Sequence, residues 1–409
     1  MYQLLSNLRI VEGTSFIASP LCGMYLAQMG AEVIRFDSIG GGPDYRRWPV
    51  SKEGKSFYWE GLNKGKKSIA IDLSRPAGRE LAVALATAPG KKGGLFLTNY
   101  PADGFLAYKK LAQLRADLVL VRVMGRVDGG PALDYTVNSA IGIPYMTGPS
   151  ELGDMPVNHV LPAWDLLTGA YAAFTLIAAE RYRSETGIGQ EICVPLSDIA
   201  ISTMANLGQV AEVLAGGADR QRYGNDVFGA FGSDFVTADG KRLMVIALTP
   251  RQWKGLVDVL GLADEIAIIE RKHGVSFALD EGVRFNHRDE LGPLVAREVA
   301  KRNSSELAAA FDSNGVCWGP YQHLSEAVHD EQLVRGNPIF TKTLNPSGYT
   351  YPVPGAAATL SFEARRPPSR APFLGEHTDE VLAEVLGLGS PAIGRLHDVG
   401  LVAGLQAGG

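Results

Sequence analysis

Between residues 8 and 125, short apolar runs alternate with helix-like stretches, and this alternation restricts the chain to one broad architecture. Leu8-Arg9-Ile10-Val11-Glu12 reads as a strand. Pro20 to Met29 reads as a helix, opened by Ser19 as its cap and Pro20 at its first position, and closed by Gly30. Glu32 to Asp37 is the next strand, and the order repeats. Lys67 to Leu73 alternates as a strand, Pro76 to Ala88 is helical, and Gly94 to Asn99 and Leu118 to Val123 are further strands. Strands alternating with helices imply an α/β fold with a parallel sheet covered on both faces. Ligands in such sheets bind outside the carboxyl ends of the strands. Asp37, Asn99 and Gly125 lie at or just past those ends.

Downstream the pattern continues and then changes. A small-residue helix follows Asp165 and runs to about Ser184, with a turn at Thr186 to Gln190. Glu191 to Leu196 reads as a strand near a sheet edge, because Pro195 has no N–H for a ladder. A long helix, Ser197 to Leu214, leads to the break Gly216-Gly217. A hairpin around Asp239-Gly240 and a set of helices then reach about His329 and read as a smaller second domain. Asn337 to Pro372 is a proline-rich return segment, and Thr378 to Leu386 is a C-terminal helix.

Bulk properties exclude several classes. A chain of 409 residues is too long for one ordinary core. No apolar run approaches the roughly 18 residues of a membrane span, and the first residues lack a signal-peptide pattern. Cys22, Cys193 and Cys317 are too far apart for a metal-type pair and are expected as buried thiols in a reducing cytoplasm. The formal charge of −5 argues against a general nucleic-acid binder. The expectation is an enzyme or binder of small molecules with no metal or prosthetic group.

Several segments carry chemistry-bearing residues, each with a structural alternative. Asn63-Lys64-Gly65-Lys66-Lys67-Ser68 sets three lysines around a glycine, which suits phosphates or a plain basic turn. Gly40-Gly41-Gly42 precedes Arg46 and Arg47. It sits outside the dinucleotide fingerprint, and the arginines suit a carboxylate clamp or an interface patch. Asn99-Tyr100 ends a strand on the expected ligand edge or forms an ordinary turn. His159 is an acid–base candidate or a structural histidine. Gly224-Asn225-Asp226 and Gly229 to Gly232 are loops over a site or plain turns. Asp165 ends an apolar run, Leu161 to Trp164, at the start of a helix. A carboxylate there caps backbone amides, or it acts as a nucleophile on an activated acyl group where water is excluded. Gly169 inside that helix implies close approach of a substrate or another backbone.

Together these blocks resemble the class III CoA-transferases, the formyl-CoA transferase and carnitine CoA-transferase family. The resemblance rests on the Leu8-to-Asp37 unit, Asn63 to Leu73, Asn99-Tyr100, Pro162-Ala163-Trp164-Asp165-Leu166-Leu167-Thr168-Gly169, Thr237 to Gly240, and Leu374-Gly375-Glu376-His377-Thr378-Asp379-Glu380-Val381-Leu382. It spans nearly the whole chain. It implies a Rossmann-like large domain built from both chain ends, a smaller α+β domain and an interlocked homodimer. The corresponding boundaries are 1–200, a connector 201–221, a small domain 222–330, a linker 331–345 and a returning segment 346–409.

The resemblance places the family's acyl-carrying aspartate on Asp165 and a CoA groove along Lys64, Lys66, Lys67, Ile69, Asn99 and Tyr100. Around the acid it implies Ile17, Arg46, Arg47, Tyr135 and His159. The chain departs from the family at Ile17, where a glutamine is usual, and near Ser38 and Ala107, where arginines are usual. Racemases of the same fold use a His-Asp pair that falls here on Leu133-Asp134, and a leucine transfers no proton. Gly40 to Pro49, Val157 to Asp165 and Gly229 to Phe235 lie outside the general pattern. They resemble a branch of the family that moves CoA between the C1 and C4 carboxyls of mesaconate, so the implied substrate is a CoA thioester of a branched dicarboxylic acid. An intermolecular CoA-transferase and a non-catalytic thioester binder remain as alternatives.

Overall fold

In the computed structural model, which describes residues 1–405, the alternating runs form a seven-stranded sheet. Its parallel strands are β1 (Arg9–Gly13), β2 (Glu32–Ser38), β3 (Lys67–Ile71), β4 (Leu95–Thr98), β5 (Val119–Met124) and β6 (Gln190–Pro195). The order across the sheet is Val402–Ala403, β3, β2, β1, β4, β5, β6, and Val402–Ala403 is antiparallel to β3. β6 stands at one edge, where Pro195 breaks no ladder.

Intervening helices cover both faces: α1 (Ala18–Gln28), α2 (Phe57–Leu62), α3 (Pro76–Ala86), α4 (Tyr108–Leu114), α5 (Asp134–Ala140) and a long helix, Ala163–Thr186. Successive strand residues point to opposite faces, so each strand feeds two cores. Ile10, Leu95, Leu97, Val119 and Val121 pack with α1 and the long helix. Val11, Ile34, Phe36, Phe96 and Leu120 pack on the other side with α3 and the C-terminal helices Thr378–Leu386 and Ser390–Asp398. A Cβ at Gly169 would lie 2.6 Å from the carbonyl oxygen of Ala18. The glycine therefore admits the backbone of α1, one of the two causes its position implied.

From β1 the chain winds toward β2 and β3, and from β4 toward β5 and β6. The topological switch thus falls between β1 and β4, at the loop Gly13 to Ile17 and at Asn99. This sheet belongs to a unit of residues 1–141, 159–212 and the chain from Glu331 onward. A second unit takes residues 142–158 and 213–330. It holds a three-stranded antiparallel sheet (Phe231–Val236, Arg242–Ala247, Cys317–Pro320) whose Phe231, Phe235 and Val245 pack on helices contributing Trp253, Leu256, Val295 and Phe311.

The structure departs from the sequence reading in four places. Residues 142–158 pack with the second unit although they lie within the 1–200 segment, and 201–212 pack with the first. The expected helix Ser197 to Leu214 is two helices, Leu196–Asn206 and Gln209–Gly216, because Gly208 adopts φ +80° between them. The proline-rich return segment contains an antiparallel hairpin, Phe340–Leu344 with Thr350–Pro354. Cys193 and Cys317 are exposed thiols, and Cys22 alone is buried. Among the described residues no helix is long and apolar enough to cross a membrane.

Candidate active site

The long helix begins at Ala163, so Asp165 is its third residue and lies within the first turn. The first four amides of a helix have no partner inside it. Asp134, the first residue of α5, supplies one: its Oδ2 accepts the N–H of Trp164 at 2.8 Å and that of Asp165 at 3.1 Å. Asp134 is buried, and its other oxygen lies 2.6 Å from Nε2 of His159. The Trp164 indole donates to Asn138 on the same helix α5 at 3.0 Å. The capping carboxylate is therefore Asp134, and the Asp165 side chain accepts no bond from these amides.

The Asp165 carboxylate sits largely out of water. Burial raises its pKa from the ordinary range to about 7, the charge of Asp134 adds to the rise, and Arg47 opposes it. Arg47 comes from the loop after β2. Gly40 and Gly41 turn that loop with φ of +91° and +94°. Buried Arg35 on β2 ties it down, donating from Nη2 to the Asp44 carboxylate at 2.9 and 3.0 Å and to Asp37 at 2.9 Å. The Arg47 guanidinium lies 5.6 Å from the Phe16 ring and 5.4 Å from the Tyr58 ring. Phe16 is in the switch-point loop with φ +69°, a conformation unusual for an aromatic residue. Asn99 holds that loop: its Oδ1 accepts the Ser15 N–H at 3.1 Å and its Nδ2 donates to the Ser15 carbonyl at 2.9 Å.

The other expected residues divide into two groups. His159 joins the constellation through Asp134, with the Tyr135 ring edge-on at 5.7 Å. The imidazole missing at Leu133 thus reaches Asp134 from the loop before the long helix. Ile17 is part-buried beside Phe16 at the start of α1. Arg46 lines a cavity of about 530 Å³ with Tyr45, Lys55, Trp59 and Phe373, and neither Arg47 nor Asp165 lines it. The two arginines therefore do not form one clamp.

The lysine block does not present three ammonium groups to a ligand. Lys66 is buried, with Nζ bonded to Glu12 at 2.9 Å, Asn63 at 2.9 Å and the Pro20 carbonyl at 2.8 Å. Lys67 pairs with Glu32 at 2.8 Å and Glu380 at 2.6 Å. Lys64 turns back to the Gly61 carbonyl, and burial lowers its pKa to about 8. Ile69 is fully buried in the core, so its side chain offers no surface to a ligand. Tyr100 is half-buried with its ring edge-on to Phe36, and burial raises its phenol to about 12. Sequence reasoning missed the capping role of Asp134 and missed Tyr58 altogether. Position 134 carried a signal, as half of the displaced His-Asp pair, whereas a tyrosine two residues past the Ser56 cap carried none. Among the described residues no three His, Cys, Asp or Glu side chains gather as metal ligands do.

Known proteins resemble the chain along nearly its whole length. The pattern of the family described as "CoA-transferase family III" matches residues 5–378. The chain is 48% identical over 406 residues to the 2-methylfumaryl-CoA isomerase of Chloroflexus aurantiacus, covering 99% of each chain. It is 30% identical over 403 residues to the succinate–glutarate CoA-transferase of Agrobacterium fabrum, covering 93% of this chain and 95% of that one. The crystal structure of a CAIB/BAIF family protein from Brucella suis superposes with a TM-score of 0.76 at 26% identity, covering 94% of this chain and all of the other.

Proposed function

The chain belongs to CoA-transferase family III, and on that premise we propose that it moves CoA between the C1 and C4 carboxyls of mesaconate, as a 2-methylfumaryl-CoA isomerase. The observation that carries this reading is the division of labour at the long helix: Asp134 takes the amides, and Asp165 keeps an uncommitted, desolvated carboxylate. A carboxylate stripped of water is a stronger nucleophile toward a thioester.

In this mechanism an Asp165 oxygen attacks the thioester carbon, and the C–S bond breaks to give an aspartyl–mesaconyl anhydride and CoA thiolate. The thiolate then attacks the Asp165 carbonyl, giving an aspartyl-CoA thioester and free mesaconate. Mesaconate turns, its other carboxylate attacks the aspartyl thioester, and the steps reverse to the isomeric product. Each step exchanges one acyl bond for another, so no redox group is required. Arg47 supplies positive charge beside Asp165, and the Asp134–His159 pair supplies a further polar group for the acid. Asn99 supports the groove indirectly by fixing the loop at the switch point, and Tyr100 follows it at the carboxyl end of β4. Exposed Tyr171, Phe174 and Tyr182 along the long helix favour a second copy of the chain as its cover in a homodimer.

An intermolecular CoA-transferase shares every step except retention of the free acid. Incubating the unlabelled thioester with labelled mesaconate separates the two readings. The expected outcome is isomerisation without label in the thioester, and rapid uptake of label would establish intermolecular transfer instead.

A further inference from the structure

The reaction outlined above leaves the hydroxyl of Tyr58 unused. Tyr58 is the second residue of α2, and its surroundings hold it in place. The Ser56 hydroxyl accepts the N–H of Trp59, capping the helix, and donates to the carbonyl of Arg47 at 2.5 Å. Trp59 is buried, with its indole donating to the Pro372 carbonyl at 2.9 Å. The loop that carries Arg47 and the helix that carries Tyr58 are thus one tied assembly, and the guanidinium lies against the phenol ring.

The Tyr58 oxygen is shut off from solvent, and no group meets hydrogen-bonding geometry with it; the Arg47 guanidinium beside it is a donor only, so the phenol O–H has no acceptor. Buried hydroxyls nearly always find one, and an orphan is costly. This orphan lies within the electrostatic reach of Asp165, Asp44 and Arg47. An unspent donor within reach of a carboxylate's field is what a developing oxyanion can use.

We propose that Tyr58 is a catalytic residue whose O–H donates a hydrogen bond to the thioester oxygen as Asp165 attacks. The assignment rests on Asp165 being the nucleophile. As the Asp165 oxygen bonds to the thioester carbon, the carbonyl π pair moves onto oxygen, and Tyr58 stabilises that charge without giving up its proton. Re-formation of the carbonyl expels CoA thiolate, and the phenol is left as it began. The same donor serves the reverse sequence. Burial, reinforced by the two nearby carboxylates, raises the phenol well above its usual range and outweighs the opposing pull of Arg47. Tyr58 therefore remains a donor throughout the working pH range.

Tyr58→Phe tests the proposal, because it removes one oxygen and preserves the ring. Wild type and variant are mixed with the thioester substrate, quenched over time and analysed by mass for the Asp165 adduct, alongside kcat, KM and thermal unfolding. The expected result is a kcat lowered about 100- to 1000-fold, KM changed by less than about threefold, adduct formation slowed in proportion to kcat, and a melting temperature equal to or above wild type. The last point separates a catalytic role from a structural one, since deleting an orphaned hydroxyl does not loosen the fold. Adduct formation at the wild-type rate in the variant overturns the assignment of Tyr58 and leaves Asp165 as nucleophile. Absence of any adduct in the wild type overturns both.

Discussion

The Oδ2 atom of Asp134 accepts the backbone N–H of Asp165 at 3.1 Å, while the Asp165 carboxylate itself stays out of the helix cap. Two acidic residues thus share one helix terminus with different tasks. Asp134 is a buried acceptor that fixes the helix start and holds His159, and its negative charge adds to the burial that raises the pKa of Asp165.

Replacing Asp134 exposes both effects. Asp134→Ala removes the acceptor of two amides and is expected to cost about 1–2 kcal/mol in denaturant unfolding, together with a fall in kcat as Asp165 loses its position. Asp134→Asn retains an oxygen acceptor but removes the charge. Its activity profile is expected to move to lower pH than that of wild type, because a like charge near Asp165 is gone.

In the proposed mechanism the attacking group is the ionised form of Asp165, whose pKa burial raises to about 7. In wild type, kcat/KM is therefore expected to rise with unit slope below that pH and to level off above it. A profile flat from pH 5 to 8 would contradict this assignment.

The Arg47 charge opposes the rise in the pKa of Asp165. Arg47→Met is expected to shift the acidic limb of the profile upward in pH and to reduce kcat/KM by about 10- to 100-fold, a loss of roughly 1.4–2.7 kcal/mol in transition-state binding. Arg46→Met is expected to leave that limb in place, since Arg46 lines a different cavity.

Asp165→Asn is expected to be inactive yet more stable. The folded carboxyl holds its proton up to about pH 7, whereas the unfolded one releases it near 3.8. The raised folded value means that stability is full below the unfolded pKa, declines as pH rises between the two values, and is constant above the folded one. The asparagine escapes this loss. Its advantage in chemical unfolding is therefore expected to vanish near pH 4 and to reach a plateau, at most about 4 kcal/mol, above pH 7.

Gly169→Ala places a methyl group 2.6 Å from the Ala18 carbonyl oxygen. The better helix propensity of alanine is worth about 1 kcal/mol, and the overlap is expected to outweigh it, leaving a net destabilisation of about 1–3 kcal/mol by urea unfolding. Because α1 leads out of the switch-point loop, activity is expected to fall as well.

Much of the architecture was legible because it is written in neighbouring residues. The period-two apolar runs at Ile34, Phe36, Ile69 and Ile71 fix strands whatever lies elsewhere, and Pro195 confines its strand to an edge by lacking one N–H. Likewise, a glycine at 169 inside a helix implied close contact before the contact was known. The Asp165 carboxylate was legible as a candidate from its place at a helix start, although its competing use as a cap was equally legible.

What the sequence determined by itself was therefore the alternating fold and the family likeness, and it marked Asp165 as a candidate nucleophile. Only the tertiary structure decided how the charged side chains are spent. Lys66 reaches Glu12, 54 residues away, and is consumed in the interior; Arg46 and Arg47, adjacent in the chain, face different spaces; and Asp134, 31 residues before Asp165, takes over the cap. The physical reason is that secondary structure follows from short-range periodicity, whereas the pairing and desolvation of a charge depend on which distant segments the fold brings against it.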